Sequence, residues 1–208
     1  RGRNLWHWMP EKPSLRLKLP KEAPIRLQRY LNLVNPEDRP MLANVIGAEL
    51  GKRLGVLGLN QGVTRLFING QYRGVYHWRA REDTPWLRLM ERVPGPVYIG
   101  DHLQARWEAA DFEVAGDISG LNTFNPMAAL IDAMYLPLGP ERYRRLWSVL
   151  SFESYARWQA TMNLAGGTHS DFTHNQLFYF DSSQGLMEPV LTDINGHGML
   201  LFPVGKGR

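Results

Sequence analysis

The sequence predicts an α+β fold, with an antiparallel sheet in its first part and mostly helices in its second part. Three observations support this prediction: an alternating basic strand near the start, an Asn-Gly hairpin near residue 70, and helical stretches that lead into a second hairpin. The chain has 208 residues, 44% hydrophobic and 11% aromatic, which suffices for one domain with a substantial core. We place the boundary between the two parts near residue 80, where charged residues and prolines follow Trp78.

Two strand patterns define the predicted sheet of the first part. Residues Leu15 to Leu19 alternate apolar and polar side chains, which indicates a half-buried strand with Arg16 and Lys18 on one face. Further along, Asn69 and Gly70 lie between two runs of strand-forming residues, which is a strong signal for a hairpin turn.

Helix signals occur in both parts of the chain. The apolar spacing from Met41 to Leu54 predicts an amphipathic helix with Glu49 on its flank. Asn125 and Pro126 have the residue types of an N-cap and a first helical position, for a helix that runs to about Tyr135. Two further helices are predicted near 140–150 and 152–164, and the residues expected to face the core on the second are Phe152, Tyr155, Trp158 and Met162.

Polar residues surround both ends of the predicted second hairpin. Asp171, His174 and Asn175 precede its first strand, "NQLFYF", and "DSSQG" forms the turn. Asp193 and Asn195 follow the second strand, "MEPVLT". Because antiparallel arms of matched length return the chain to its starting end, we expect Asp171 and Asp193 to lie at the same end of the hairpin.

These residue types match the needs of metal-assisted phosphoryl transfer. Carboxylate and amide oxygens suit Mg²⁺ or Mn²⁺, which keep substrate phosphates as further ligands. Kinase-type catalysis uses an aspartate near the acceptor hydroxyl, an asparagine a few residues later and a metal-binding aspartate beyond it. Asp171, Asn175 and Asp193 occur in this order, and 22 residues separate the two aspartates.

Charge and composition indicate which classes of ligand and partner the protein can bind. The first 30 residues hold eight Arg or Lys against two Glu, in a chain of net charge +4, so this end favours an anionic ligand. Arg16 and Lys18 are candidates to contact phosphates, and Glu49 is a candidate to orient them. The arginines alternate with apolar residues, so we do not expect a nucleic-acid partner. No apolar run reaches the roughly 18 residues of a membrane span, and the absence of cysteine excludes thiolate and disulfide chemistry.

Four motifs in order resemble the CotH kinase family, spore-coat and secreted bacterial proteins with an atypical protein-kinase-like fold. "RGRN" with "KPSLRLKL" is similar to the start of the family and its basic strand, and "INGQYRGVYHW" is similar to its Asn-Gly hairpin. "SFESYARWQATMNLAGGTHSDFTHNQLFYF" is similar to its helix, D-x-x-x-N motif and aromatic strand, and "LTDINGHG" is similar to its W-D-L-D turn.

The resemblance implies ATP-dependent phosphorylation of protein hydroxyls with Mg²⁺ or Mn²⁺. It assigns Asp171 as the catalytic residue. It assigns Asn175, Asp193 and Asn195 to the part of the site that binds the metal ions. It also implies one kinase domain over 1–208, with a small lobe to about residue 80, a large helical lobe from about 81, and the nucleotide between them. A bacterial spore-surface or extracytoplasmic location follows from the family, although no targeting signal is present in these residues.

The chain departs from the family pattern at three places. Lys12-Pro13-Ser14 stands where two lysines usually precede the serine, so the phosphate-binding cation is open among Lys12, Arg16 and Lys18. Asn195 replaces the second aspartate of the W-D-L-D turn, which removes one negative charge near the metals. The chain ends soon after this turn, and we expect that a C-terminal part of the domain is missing.

Other interpretations of the same residues stay open. Trp78 near the adenine could stack on the base or fill a contact between lobes. The domain could be a kinase-like binding or scaffold module without catalysis. A metal-dependent phosphoesterase is a further hypothesis, and its ligands would be His169, Asp171, His174, Asp193 and His197. None of these patterns predicts the acceptor protein or the oligomeric state.

Overall fold

A computed structural model describes residues 8, 11–25, 27–35, 43–100, 107–116, 124–167 and 175–194. Within these ranges the chain forms two antiparallel sheets and five α-helices, so the predicted α+β class is confirmed. The strands are β1 (Leu15–Lys18), β2 (Tyr30–Val34), β3 (Gln61–Ile68), β4 (Gln71–Ala80), β5 (Pro96–Gly100), β6 (Phe112–Gly116), β7 (Gln176–Asp181) and β8 (Leu186–Pro189). The helices are α1 (Ala43–Arg53), α2 (Thr84–Leu89), α3 (Pro126–Tyr135), α4 (Pro140–Val149) and α5 (Phe152–Ala165).

The first sheet has the strand order β1-β2-β4-β3, and α1 connects β2 to β3 along the chain. Its hairpin turns at Asn69 and Gly70, whose φ angles of 52° and 78° are both left-handed. A two-residue hairpin turn of the type that matches strand twist requires this geometry, and Asn-Gly adopts it at little cost. The basic strand and the Asn-Gly hairpin both form as predicted. The strand is not half-buried as predicted, however, because only Leu15 is partly buried and Leu17 is 37% exposed.

A second sheet accompanies the predicted helices of the second part. Its order is β6-β5-β7-β8, and β5 and β6 were not predicted. In β5 the sequence "PVYIG" is buried at four of five positions, so it lacks the alternation that identifies a half-buried strand. Pro96 belongs to the proline-containing stretch that we interpreted as a boundary, yet proline is compatible with the first residue of a strand, where it lies here.

The predicted helices of the second part form with the expected boundaries. The Asn125 side chain accepts a hydrogen bond from the Ala128 N–H at 3.1 Å, and Pro126 takes the first helical position. On α5, Trp158 and Met162 are buried as predicted. Tyr155 was predicted to face the core but is 37% exposed, because the first turn of α5 lies at the surface beside α4.

One apolar cluster connects the two sheets. Its members come from the segment before β3, the end of β4, α2 and the second sheet: Leu57, Leu59, Ala80, Trp86, Leu87, Val97, Leu177, Tyr179 and Val190. Backbone hydrogen bonds reinforce this junction. The Leu191 N–H donates to the Leu57 carbonyl at 2.7 Å, and the Leu59 N–H donates to the Leu191 carbonyl at 3.3 Å. The chain that follows β8 is therefore attached to the segment that precedes β3.

A buried carboxyl group fixes β8 to its surroundings. The Glu188 side chain is only 5% exposed and accepts hydrogen bonds from Arg92 at 3.0 Å and from the Ser154 hydroxyl at 3.3 Å. Burial raises the pKa of Glu188, and the Arg92 guanidinium opposes part of that rise. The folded protein therefore binds a proton at Glu188 more tightly than the unfolded chain does.

We predict that Glu188 makes the stability of the protein pH-dependent. A raised folded-state pKa contributes stability that is fully present below the ordinary value of 4.5 and is lost as the pH rises through the folded-state pKa. The free energy of unfolding of the wild type, relative to Glu188→Gln, should therefore fall as the pH is raised from 4.5 towards neutrality. Urea unfolding at several pH values measures this difference, with the exposed Glu153→Gln as control. A difference that grows with pH would show that the Arg92 ion pair outweighs burial.

Candidate functional site

The β7–β8 hairpin brings two of the predicted site residues to one end. In its register Phe178 lies opposite Pro189, and the Val190 N–H donates to the Leu177 carbonyl at 2.8 Å. Asn175 directly precedes β7, and Asp193 follows β8 after three further residues. Asn175 and Asp193 therefore both flank the open end of the hairpin.

Both residues have an uncommon backbone conformation. The φ angle is 55° at Asn175 and 48° at Asp193, in the left-handed region that most side chains avoid. Asn and Asp tolerate this region better than other residues, yet each instance costs on the order of 1 kcal/mol. Such conformations persist where the surroundings enforce them, and they concentrate at functional sites. Two of them at one hairpin end mark this position as a candidate site.

The segment 190–194 holds Asp193 between buried neighbours. Leu191 and Ile194 are 1% and 0% exposed, whereas Asp193 is half-buried and is the one residue of these five that is not fully buried. Ile194 packs in a cluster with Met162 and Ala165 of α5. The backbone on each side of Asp193 is therefore fixed while its side chain retains access to solvent.

Two glycines let α1 lie directly against this segment. A Cβ atom at Gly47 would stand 2.5 Å from Cδ1 of Ile194, and one at Gly51 would stand 2.2 Å from Cδ2 of Leu191. Both separations are far below van der Waals contact, so a larger residue cannot occupy either position without displacing its neighbour. The helix thus supports the backbone that carries Asp193.

Glu49, predicted to orient a phosphate-binding cation, lies on the exposed side of α1. Its carboxylate accepts a hydrogen bond from Arg53 Nε at 2.9 Å, one turn further along the same helix. This hydrogen bond, together with the charge of Arg53, lowers the pKa of Glu49. The orienting role of Glu49 stays a prediction.

The three candidate cations lie on two different faces of the first sheet. Arg16 pairs with Asn32 of β2 and donates from Nε to its side-chain oxygen at 2.9 Å, and Lys18 follows on the same face. Lys12 lies elsewhere, with its ammonium 5.3 Å from the centroid of the Tyr76 ring. We call the two faces the Arg79 face, which includes Arg16 and Lys18, and the Tyr76 face. Lys12 is therefore separated from the other two candidates.

Trp78 also lies on the Tyr76 face, because Tyr76 and Trp78 alternate with Arg79 along β4. It is half-buried and packs over Gly62 of β3, where an added Cβ would stand 2.8 Å from the indole Nε1. Its predicted position beside the adenine stays a prediction.

Arg79 is a residue that the sequence patterns did not single out. It pairs with Asn32 on one side and with Gln61 on the other, so it lies in one row with Arg16 across the first sheet. Its Nη1 donates to the Thr192 hydroxyl at 3.4 Å. Its position beside Asn32 depends on the pairing of β2 with β4, which no local sequence pattern predicts.

The sequence of the chain matches a known protein family. A family model described as CotH kinase protein matches residues 8–197. The chain belongs to the CotH kinase protein family. The resemblance inferred from the four motifs is thereby confirmed. Among curated proteins, the comparison found no match to this CotH-family chain.

Several predicted site residues of this CotH-family protein lie outside the described residues, namely Asp171 and Asn195 together with His169, His174 and His197. Over the ranges that are described, no three His, Cys, Asp or Glu side chains come close enough to hold a metal ion. None of the helices in those ranges combines the length and hydropathy that a membrane span requires.

We predict that Gly47→Ala destabilises the protein by overpacking α1 against the Asp193 segment. The new methyl group would lie 2.5, 2.9 and 3.2 Å from Cδ1, Cγ2 and Cβ of Ile194, so rotation of that side chain cannot relieve the overlap. Alanine gains about 1 kcal/mol in helix propensity over glycine, whereas overpacking costs about 1–3 kcal/mol. We expect a net loss of about 1 kcal/mol in the free energy of unfolding, measured in urea.

The matched control is the same change in an Ile194→Ala background. There the methyl group has room, so Gly47→Ala should lose most of its cost or become stabilising. An equal cost in both backgrounds would contradict the proposed contact between α1 and the Asp193 segment.

Proposed function

We propose that this CotH-family protein is an ATP-dependent phosphotransferase that acts on protein hydroxyl groups with a divalent metal ion. The observation that carries the proposal is the position of Asn175 and Asp193 at one end of the β7–β8 hairpin, both in left-handed backbone conformations. Family membership over residues 8–197 agrees with a kinase-like activity. The sequence order Asp171, Asn175, Asp193 supplies the three parts that kinase-type transfer uses.

The donor set suits magnesium or manganese. Asp193 offers a half-exposed carboxylate and Asn175 an amide oxygen, the oxygen ligands that these hard cations accept. Asn195 is a further oxygen ligand in this proposal, by its place in the family turn. A bound metal ion would neutralise charge that develops on the transferred phosphoryl group. The buried neighbours of Asp193, Leu191 and Ile194, fix the backbone that carries its carboxylate.

Asp171 is proposed as the catalytic residue that orients the acceptor hydroxyl. In kinase-type transfer the equivalent carboxylate accepts a hydrogen bond from that hydroxyl and receives its proton. The hydroxyl oxygen forms the new bond to the γ-phosphorus of ATP, the bond from that phosphorus to the β–γ bridging oxygen breaks, and ADP leaves. Its place four residues before Asn175 is the sequence feature that supports this role.

The two-lobed arrangement belongs to the same proposal. The first sheet with α1 would form the small lobe, to about residue 80, and the second sheet with α2 to α5 the large lobe. The nucleotide would lie between them, with its phosphates towards the basic residues of the first sheet. The phosphate-binding cation is proposed among Lys12, Arg16 and Lys18, of which Arg16 and Lys18 share the Arg79 face. Trp78 is the proposed neighbour of the adenine, and it lies with Lys12 on the Tyr76 face. The family suggests an acceptor protein at a bacterial spore or cell surface.

We predict that Asp193→Asn weakens metal-dependent nucleotide binding. Removal of the carboxylate charge takes away the strongest metal ligand of the hairpin end, so ATP affinity in the presence of Mn²⁺ should fall at least about tenfold, about 1.4 kcal/mol. Titration calorimetry with ATP, with and without Mn²⁺, measures this. Asp132→Asn on the exposed side of α3 is the matched control. Unchanged binding in Asp193→Asn would remove this residue from the site, and no binding by the wild type would favour the scaffold hypothesis.

We predict that Asp171→Asn, unlike Asp193→Asn, impairs phosphate transfer without impairing nucleotide binding. The variant should bind ATP with Mn²⁺ about as tightly as the wild type but transfer phosphate at least about 100-fold more slowly, since a positioned base contributes 10²- to 10⁴-fold. Transfer of labelled γ-phosphate to a serine- and threonine-containing peptide library is the readout. Transfer at the wild-type rate would contradict the assignment of Asp171.

A further inference from the structure

Three polar side chains form a continuous row across three strands of the first sheet. Arg16 of β1 lies opposite Asn32 of β2, and Asn32 lies opposite Arg79 of β4. Directly opposed residues on antiparallel strands point to the same face, and neighbouring strands are about 4.8 Å apart. Two guanidinium groups therefore flank one amide group within a span of about 10 Å.

The row points towards the candidate site. Gln61, which continues it on β3, donates to the Asn44 carbonyl of α1 at 3.2 Å, so this face of the sheet is the one next to α1. Arg79 Nη1 reaches the Thr192 hydroxyl at 3.4 Å, and Thr192 directly precedes Asp193. The same helix and the same segment thus border both the row and the candidate metal ligand.

The guanidinium of Arg79 makes no short ion pair with a carboxylate of the described residues. Its Nη2 lies 3.5 Å from the Glu82 carboxylate, well beyond the roughly 2.7–2.9 Å of a charge-assisted hydrogen bond. Its Nε is buried and has no hydrogen-bond partner among the described residues. Nη1 and Nη2 each carry two N–H groups and direct one of them at Thr192 or Glu82, so one N–H on each terminal nitrogen remains for a ligand. Yet Arg79 is only 30% exposed, so the surroundings hold it in place.

We propose that Arg79, supported by Asn32 and Arg16, binds the phosphate groups of an oligophosphate ligand beside Asp193. This proposal rests on the proposed phosphotransferase function and names the main phosphate-binding cation, which is none of the three cations that the sequence suggested. The planar fork of an arginine matches two phosphate oxygens at once, which a lysine ammonium does not. Arg16 adds a second, more exposed cation at the far end of the row, suited to another phosphate group of the same ligand.

The test compares three ligands on the full chain: inorganic tripolyphosphate without metal, ATP with Mn²⁺, and adenosine. Arg79→Gln should weaken binding of tripolyphosphate and of ATP roughly 10- to 100-fold, the effect of losing one or two charged hydrogen bonds. Adenosine, which has no phosphate, should bind equally to Arg79→Gln and to the wild type. Arg73→Gln is the matched control, because Arg73 lies on the same strand but is exposed and bonded to Gln71. Arg79→Lys should retain part of the affinity.

The outcomes separate this proposal from the phosphotransferase proposal. Suppose that Arg79→Gln weakens tripolyphosphate binding but Asp193→Asn leaves ATP binding with Mn²⁺ unchanged. The oligophosphate site is then supported, and the proposed phosphotransferase function is contradicted. If ATP binding depends on Asp193 but not on Arg79, the function stands and this proposal is overturned. An equal loss of adenosine binding in Arg79→Gln would show a structural role for Arg79 and would also overturn it. So would a wild type that binds neither tripolyphosphate nor ATP.

Discussion

The packing of Leu191 and Ile194 is the constraint on which the candidate site depends. These two side chains are buried on either side of Thr192 and Asp193, and α1 presents glycines to both of them. The backbone of Leu191 is also hydrogen-bonded to the segment before β3. Together these contacts leave little freedom for the chain between them, so a left-handed conformation at Asp193 can persist despite its cost of about 1 kcal/mol.

The same segment connects all the parts that the proposed chemistry requires. Asp193 follows β8, whose partner β7 begins next to Asn175, so one hairpin carries both proposed metal ligands. Thr192 faces the Arg79 guanidinium, so the basic row of the first sheet reaches the same place. A displacement of α1 would therefore shift Asp193 through Ile194. A ligand bound to Arg79 would lie beside the proposed metal ligand Asp193.

Local sequence signals predicted those parts of the fold that depend on neighbouring residues. The Asn69-Gly70 turn, the Asn125 cap and the spacing of Trp158 and Met162 all act within a few residues of chain, and each was confirmed. Strands β5 and β6 were missed because β5 is buried on both faces and shows no alternation. Tyr155 was misplaced because periodicity identifies a helix face but not where along the helix the core ends.

The candidate site likewise has residues that local sequence patterns identify and residues that only the strand pairing reveals. The order of Asp171, Asn175 and Asp193 and the arms of the hairpin were visible in the sequence. Arg79 was not, because its importance arises from strand order, which sets Asn32 beside it across a connection that includes α1. Lys12 and Arg16 looked equivalent in sequence, yet they lie on opposite faces of the first sheet, since Lys12 packs on Tyr76.

The most direct measurement is the position of manganese in crystals of this chain grown with Mn²⁺ and a non-hydrolysable ATP analogue, located by its anomalous scattering. Our account predicts a manganese peak within about 2.5 Å of a carboxylate oxygen of Asp193 and of the Asn175 amide oxygen. It further predicts nucleotide phosphates between that ion and the guanidinium of Arg79. Manganese bound away from Asp193, or a nucleotide whose phosphates lie away from the β7–β8 hairpin, would contradict it.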